Sequence, residues 1–361
     1  MNLPARVGVI GTGAVSHQYL PNLLNSPTLT VTAVADIDAD AARRLADEYG
    51  VEAWTPEQLL ASDEIDIVLN LTPIRFHASV TRSALEAGKH VYSEKSLATS
   101  VAEGQELLDL AESRGLVVAG APDTLLGTSF QAARAALDNG IVGTPLTAAA
   151  VMLRFRHPRT VYFENYNALF DMAPYYVSAL ATLFGPIATV SGSVALDPAE
   201  PGDKHVALGF SSVLDFASGL SATLTMNWRS EHEHEIPVLD VYGSSGVLRF
   251  ANPNNFGDPA FVRTHEQPEG TWAELPDSRQ SSDHAFNLRG LGVSDLAAAL
   301  AAGTPPRASG QLACHVVDVV SAVIRSSESG ERVALTTTFD SPAPLSADDR
   351  NSYIESERSN A

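Results

Sequence analysis

The sequence predicts a two-part protein: an α/β doubly wound parallel sheet, then an α+β domain with a mostly antiparallel sheet. Three observations carry this. The first third alternates short β-branched runs with helical segments, the pattern of parallel strands joined by covering helices. After about residue 124 strand-like runs lengthen and follow one another with few helices between, as in an antiparallel sheet with helices on one face. The chain has 361 residues, more than one ordinary core takes up, so two domains fit.

In order along the chain, the first strands are expected over 6–10, 29–36, 66–73, 88–95 and 115–123. Between them, Thr55, Pro56 and Gln58 read as N-cap, first-turn proline and capping-box partner, and Ser100 with Glu103 repeats the box. Gly50, Gly88 and Gly115 fall just past helix ends, where a left-handed residue is wanted. Residues 1–123 therefore read as one domain. Beyond it, TAAAVMLRF, ATVSGSVAL, HVALGFSSVLDF, LSATLTMNW and VLDVYG read as strands, two of them joined through DFASGL as a hairpin. Helices are expected over 128–139, 172–184, 290–302 and 309–327. Residues 124–340 form the expected second domain, and 341–361 a polar, flexible tail.

Charge narrows the partners. A formal net charge of −20 argues against nucleic acid and anionic membrane surfaces, which select for clustered Lys and Arg, so a small molecule becomes the default partner. No run approaches the roughly 18–20 apolar residues of a membrane span. The start, MNLPARVGVIG, enters an apolar strand with no room for a secretory leader, and the one cysteine, Cys314, needs no oxidising compartment. A cytoplasmic location is expected. Cys314 lies in a periodic apolar run and reads as a small buried side chain.

Residues 11–16 read GTGAVS. Gly11 permits a tight turn after the first strand, and Gly13 lets backbone approach a pyrophosphate at the start of the next helix. Thr12, Ala14 and Val15 complete the turn, and Ser16 stands where Gly or Ala is usual. The second strand ends in Asp36, a carboxylate suited to ribose hydroxyls and repellent to a 2′-phosphate, which favours NAD over NADP. Asp38 serves better than Asp36 as the cap of the following helix. Later strand ends carry Thr72, Pro73 and His77, then Glu94 and Lys95, and all converge on the carboxyl side of the sheet. Of 23 basic residues only Lys89, Lys95 and Lys204 are lysines. A compact ammonium at a strand tip, in a chain that otherwise uses Arg, points to chemistry a guanidinium does not do.

In the ordered set GTGAV, VAD, LTPIRFH, GKHVYSEKSLA, APDTLLG and FDMAPYYVSALATLFGP, the chain resembles the Gfo/Idh/MocA family of nicotinamide-dependent sugar and cyclitol oxidoreductases, over about residues 5–340. The resemblance implies a Rossmann domain and an open-faced antiparallel sheet domain that commonly builds dimers or tetramers. It also implies that Glu94 holds the nicotinamide ribose and that Lys95 reaches the substrate hydroxyl. The family's Pro after that Lys is here Ser96, so the peptide bond before it is open to either isomer, and the isomer sets where Lys95 points. The family's Asp-x-x-x-His maps onto Asp171 and Tyr175, placed on one helix face by their spacing, with Pro174 tolerable in a first turn. Tyr175 thus stands at the proton-accepting position, with a packing role as its alternative, and Tyr176 is its neighbour. Asn165, Tyr166 and Asn167 replace the usual Gly-Gly-Gly and reshape the substrate pocket.

Further substrate candidates are His157, after a strand, His234 in the run EHEHE, and Arg289. His232 and His234 lack a third ligand, so no metal is expected and the run reads as exposed charge alternation or a loop touching substrate. His315 and Asp318 lie in an apolar helix and read as core or interface polar groups. The function expected is NAD-dependent oxidation of a secondary hydroxyl on a sugar, cyclitol or glycoside. The alternatives are glycoside cleavage through transient oxidation, and a non-catalytic NAD-binding regulator.

Overall fold

The computed structural model describes residues 1–153, 169–196, 207–228, 230, 238–250, 252–268, 270–279 and 287–354. They divide into two compact units, one of Met1–Leu126, Asn287–Cys314 and Leu345–Ala361, the other of Gly127–Phe286 and His315–Pro344.

In the first unit, β1 (Ala5–Ile10), β2 (Leu29–Ala35), β3 (Glu52–Trp54), β4 (Ile67–Asn70), β5 (His90–Ser93) and β6 (Val118–Gly120) form one sheet in the order β3-β2-β1-β4-β5-β6. All its pairs are parallel. Strand order reverses between β1 and β4, and at such a switch point a doubly wound sheet opens a crevice at its carboxyl edge. Alternate residues bury on opposite faces: Val7, Val9, Ile67 and Leu69 on one, Ile10, Val68 and Val91 on the other. The helices α1 (Ser16–Asn25), α2 (Ala39–Tyr49), α3 (Pro56–Ala61), α4 (His77–Glu86) and α5 (Val101–Ser113) connect the strands.

Local chemistry sets the helix ends. Thr55 and Gln58 form the full capping box, and Asp38 caps α2 by accepting from the N–H groups of Asp40 and Ala41. At α5, Ser100 accepts from Glu103 N–H, but the Glu103 carboxylate turns to Thr99 instead of completing the box. Gly50, Gly88 and Gly115 are left-handed, with φ of 69°, 78° and 65°.

The division departs from the expected boundaries in two places. Residues 287–314, expected in the second domain, belong to the first unit, because Val293, Leu296 and Ala297 of the helix Leu291–Ala302 join the Val7–Val9 core. Fully burying a Val or Leu side chain contributes about 1.5–3 kcal/mol, enough to recruit a distant segment. The tail is also not uniformly flexible. Residues Ala347–Tyr353 form a helix capped by Ser346, Tyr353 is buried, and Asp349 lies 3.6 Å from Arg307, which also pairs with the fully buried Asp295.

The second unit holds α6 (Thr128–Asp138), α7 (Leu169–Phe184) and a nine-stranded sheet. Its strands are β7 (Pro145–Leu153), β8 (Ile187–Leu196), β9 (Ala207–Phe216), β10 (Ser221–Asn227), β11 (Val238–Gly243), β12 (Gly246–Phe250), β13 (Phe261–Thr264), β14 (Ala273–Glu274) and β15 (Val333–Ala334). Among the described residues of this sheet only β7 and β10 pair in parallel. β9 and β10 form the hairpin expected at DFASGL, with Gly219 at φ 90°. Strand residues alternate: Ala222, Leu224 and Met226 are buried and Thr223 is exposed. The buried side meets α7 and the long helix Gly310–Ser329, through Leu169, Ala173, Val177, Val319 and Val323. Cys314 is buried, as expected. His315 and Asp318 are core polar groups: His315 Nε2 accepts from Ile187 N–H at 3.0 Å, and Asp318 accepts from the backbone and hydroxyls of Thr336 and Thr337. Burial lowers His315 to a pKa of about 4. Among the described residues no helix is long and apolar enough to cross a membrane.

Candidate active site

The turn after β1 is shaped by what it must pass. Gly11 has φ 105°, and a Cβ there would lie 2.5 Å from the carbonyl carbon of Leu71, so only glycine fits between β1 and the end of β4. Gly13 is exposed and a Cβ there would meet nothing within 4 Å, and no side chain caps α1. Open backbone at an uncapped helix start is what a pyrophosphate requires. Ser16 resolves its place in the fingerprint by turning inward: it is fully buried and its hydroxyl donates to Gly13 O at 2.7 Å.

Asp36 is tied to this turn. Its Oδ2 accepts from Thr12 N–H at 2.8 Å and the Thr12 hydroxyl at 2.9 Å, and its Oδ1 from Asp38 N–H at 3.0 Å. A carboxylate has about four acceptor sites, so one remains, on Oδ1. Beside it Ile37 is 92% exposed, an apolar surface at the carboxyl edge of the sheet.

At the end of β4, Asn70 organises the turn. Its Oδ1 accepts from the N–H and hydroxyl of Thr72, and its Nδ2 donates to His77 O at 3.0 Å. Pro73 is exposed. His77, expected to contact cofactor, does not face the crevice freely. It is 2% exposed, with Nδ1 2.7 Å from Ser96 O and Nε2 2.6 Å from Thr72 O.

At the end of β5, Glu94 is buried and held on both oxygens. Oε1 accepts from the Tyr19 hydroxyl at 2.8 Å and Oε2 from Lys95 N–H at 2.9 Å. Burial, with the Glu94 carboxylate, pushes the Tyr19 phenol well above the ordinary tyrosine value, so it stays a donor. Lys95 is half-buried, and the Lys95–Ser96 peptide is cis. Of the other two lysines, Lys89 is spent on a carbonyl, Ser62 O at 2.6 Å, and Lys204 lies outside the described residues.

Asp123, just past β6, was not singled out by sequence, although APDTLLG contains it. It is 2% exposed, and its Oδ2 accepts from Gly290 N–H at 2.9 Å and Gly292 N–H at 3.1 Å. Burial pushes its carboxyl up to about 6. Tyr19 and Asn70 were also missed. Tyr19 follows Ser16 by one helical turn, and Asn70 is a polar residue inside an apolar strand, which is the one local sign that it has a partner.

In the second unit, Asp171 lies in the first turn of α7, half-buried, and Tyr175 (6% exposed) and Tyr176 (0%) are buried on the same helix. α7 begins at Leu169, so Pro174 falls in its second turn, one turn later than the sequence suggested. His157, Asn165, Tyr166, Asn167, His232 and His234 lie outside the described residues. Arg289 belongs to the first unit, where its carbonyl accepts from Asn22 at 2.9 Å. Among the described residues no three His, Cys, Asp or Glu side chains are grouped to hold a metal.

The arrangement supplies an open phosphate cradle, a carboxylate at the β2 end, and at the β5 end a buried carboxylate followed in the chain by a lysine. Such a set suits a dinucleotide.

Comparison with known proteins bears on the family and the fold. Residues 5–121 match the oxidoreductase family model with an NAD-binding Rossmann fold, and residues 130–249 match the GFO/IDH/MocA C-terminal domain. The dTDP-3,4-didehydro-2,6-dideoxy-alpha-D-glucose 3-reductase of Streptomyces violaceoruber is 30% identical over 320 residues, covering 82% of this chain and 91% of that one. A 3-ketoreductase from Actinomadura kijaniata, solved with TDP-benzene and NADP, has a TM-score of 0.74 at 26% identity over 90% of this chain and 98% of that one. Levoglucosan dehydrogenase, solved with NADH and L-sorbose, shares the fold with a TM-score of 0.81 at 18% identity, covering 92% and 99%.

Proposed function

The chain belongs to the GFO/IDH/MocA oxidoreductase family with its NAD(P)-binding Rossmann fold, and from that premise we propose that it oxidises a secondary hydroxyl of a sugar, cyclitol or glycoside using NAD. The observation that carries the reading is the β5 tip. There a buried Glu94, fixed by Tyr19 and by Lys95 N–H, stands next to a lysine in a chain with three.

When bound, the dinucleotide supplies the hydride acceptor. The turn Gly11–Val15 binds its phosphates through backbone. Asp36 accepts one ribose hydroxyl on the site left on Oδ1, and its charge repels a 2′-phosphate, which supports NAD over NADP. Thr72 and Pro73 border the crevice, and Glu94 orients the nicotinamide ribose. Lys95 stabilises the negative charge that develops on the substrate oxygen. Tyr175 accepts the hydroxyl proton, Asp171 orients it, and Tyr176 with His157, Asn165 and His234 contribute to substrate recognition.

We assign cofactor binding to the first unit and substrate binding to the second, whose sheet also joins copies into a homodimer or homotetramer. A cytoplasmic setting accords with the single buried cysteine. Incubation with NAD or NADP and a panel of sugars, inositols and nucleotide-linked sugars, followed by nicotinamide absorbance in both directions, tests the reaction. Turnover with NAD is expected; none with any compound in either direction would sink the reading. Light scattering on the eluting protein tests the oligomer, which fails if only monomer is found.

A further inference from the structure

Both ring nitrogens of His77 point at oxygens that only accept. Nδ1 lies 2.7 Å from Ser96 O and Nε2 2.6 Å from Thr72 O. A neutral imidazole carries one N–H, so it donates to one carbonyl and sets a lone pair against the other. Turning the ring over does not help. That would place C–H groups where the nitrogens stand, and a C–H···O contact wants about 3.3–3.6 Å. Only a doubly protonated ring makes both bonds at these distances.

The two carbonyls are not arbitrary. Thr72 ends the β4 turn, and Ser96 follows Lys95 directly, so the ring bridges the two strand tips. The bridge is braced from behind, since Asn70 holds the His77 carbonyl through Nδ2 and the Thr72 N–H and hydroxyl through Oδ1. With the ring 2% exposed, water offers no ready substitute for a lost bond.

We propose that His77 is a positioning residue for Lys95: donating from both ring nitrogens, it locks the β4 turn to the peptide after Lys95, and on losing its second proton it lets one carbonyl go. The inference rests on the role given to Lys95 above. Glu94 and Lys95 are the side chains whose charges act on the ring, the first favouring its charged form and the second opposing it. Burial outweighs the two carbonyls and Glu94 and pushes the imidazole below the usual histidine range. The two-bond state therefore belongs to the acid side and gives way as pH rises.

Lys89, Lys95 and Lys204 are the only lysines, so reductive ¹³C-methylation of the full chain yields three lysine signals, assignable with K89R and K204R. Through the acid-to-neutral range the Lys95 signal is expected to step at the midpoint at which ¹⁵N-labelled His77 loses its second N–H. His77→Gln should remove that step. A Lys95 signal that moves alike in both proteins overturns the proposal, as does a His77 ring that never carries two N–H protons while the chain is folded. With any compound that turns over, His77→Gln should lower kcat about 10- to 100-fold and leave the KM for NAD within about twofold, since misplacing a reacting group costs rate more than binding. A raised KM for NAD with kcat intact overturns it, marking a cofactor contact instead. Should no compound turn over, the Lys95 role fails while the resonance measurements still decide the bridge. Should His77→Gln not fold, the matching midpoints in the unsubstituted chain decide it alone.

Discussion

In the first unit the polar candidates Thr12, Asp36, Thr72, His77 and Glu94 sit at the carboxyl ends of parallel strands, each bonded to a neighbour. In the second unit the described candidates, Asp171, Tyr175 and Tyr176, share one buried helix and no strand tip. The difference follows from topology. A doubly wound sheet delivers every strand's carboxyl end to one edge, so residues far apart in sequence converge without further specification. An antiparallel sheet alternates its ends and offers no common edge, and the described candidates of the second unit lie instead on the helix α7.

The sharpest test of that contrast is to remove one group from each. Lys95→Met should lower turnover about 10²- to 10³-fold while NAD binding persists, and Tyr175→Phe should cost about 10²- to 10⁴-fold, the ordinary worth of a proton acceptor. If Tyr175→Phe retains full rate with only lowered stability, Tyr175 is a packing residue and the chemistry lies wholly in the first unit. Next in size is cofactor choice. Asp36→Ser removes the charge that repels a 2′-phosphate, and should shift the ratio of kcat/KM for NADP over NAD upward by about tenfold or more, an electrostatic effect of roughly 1.4 kcal/mol. An unchanged ratio would mean that Asp36 serves only Thr12 and Asp38.

The smallest net effect is the pH dependence left when the buried titrating groups of the two units oppose one another. Asp123 in the first unit has its carboxyl raised to about 6, so between about pH 4 and 6 the folded chain binds a proton the unfolded chain lacks, and stability falls as pH rises. His315 in the second unit is lowered to about 4, so between about pH 4 and 6.5 the unfolded chain binds the extra proton, and stability falls as pH drops. Each shift corresponds to roughly 3 kcal/mol across its window. The two slopes oppose, and chemical denaturation should show a shallow dependence between about pH 4 and 6. Asp123→Asn should leave stability climbing with pH in that window, and His315→Gln should leave it falling. Slopes unchanged by both substitutions would refute the assignment.

Much of the first unit was legible from residues alone. The glycine turn, the Asp38 and Thr55 caps, the left-handed Gly50, Gly88 and Gly115, and the placement of Glu94 and Lys95 after a strand all follow from local pattern. The partners of those residues were not legible. Nothing near position 94 names Tyr19, and nothing near position 123 names Gly290 or Gly292, because these bonds span 75, 167 and 169 residues. His77 is a further case: its place in LTPIRFH suggested a cofactor contact, and only the folded chain brings its two ring nitrogens against the carbonyls of Ser96 and Thr72.

By itself the sequence determined the strand–helix alternation of the first unit, the hairpin at DFASGL and the caps at Asp38 and Thr55, because periodicity, caps and glycine conformation act within a few residues of one another, whereas the short strands β3 and β12–β15 and the helix Ala347–Tyr353 took shape only through their neighbours. Tertiary structure alone decided that residues 287–314 complete the first unit's core, that Asp36 keeps a single acceptor site, and that His77 bridges two strand tips. Those outcomes depend on which surfaces meet once apolar faces are buried, and burial couples residues by distance in space, not by distance along the chain.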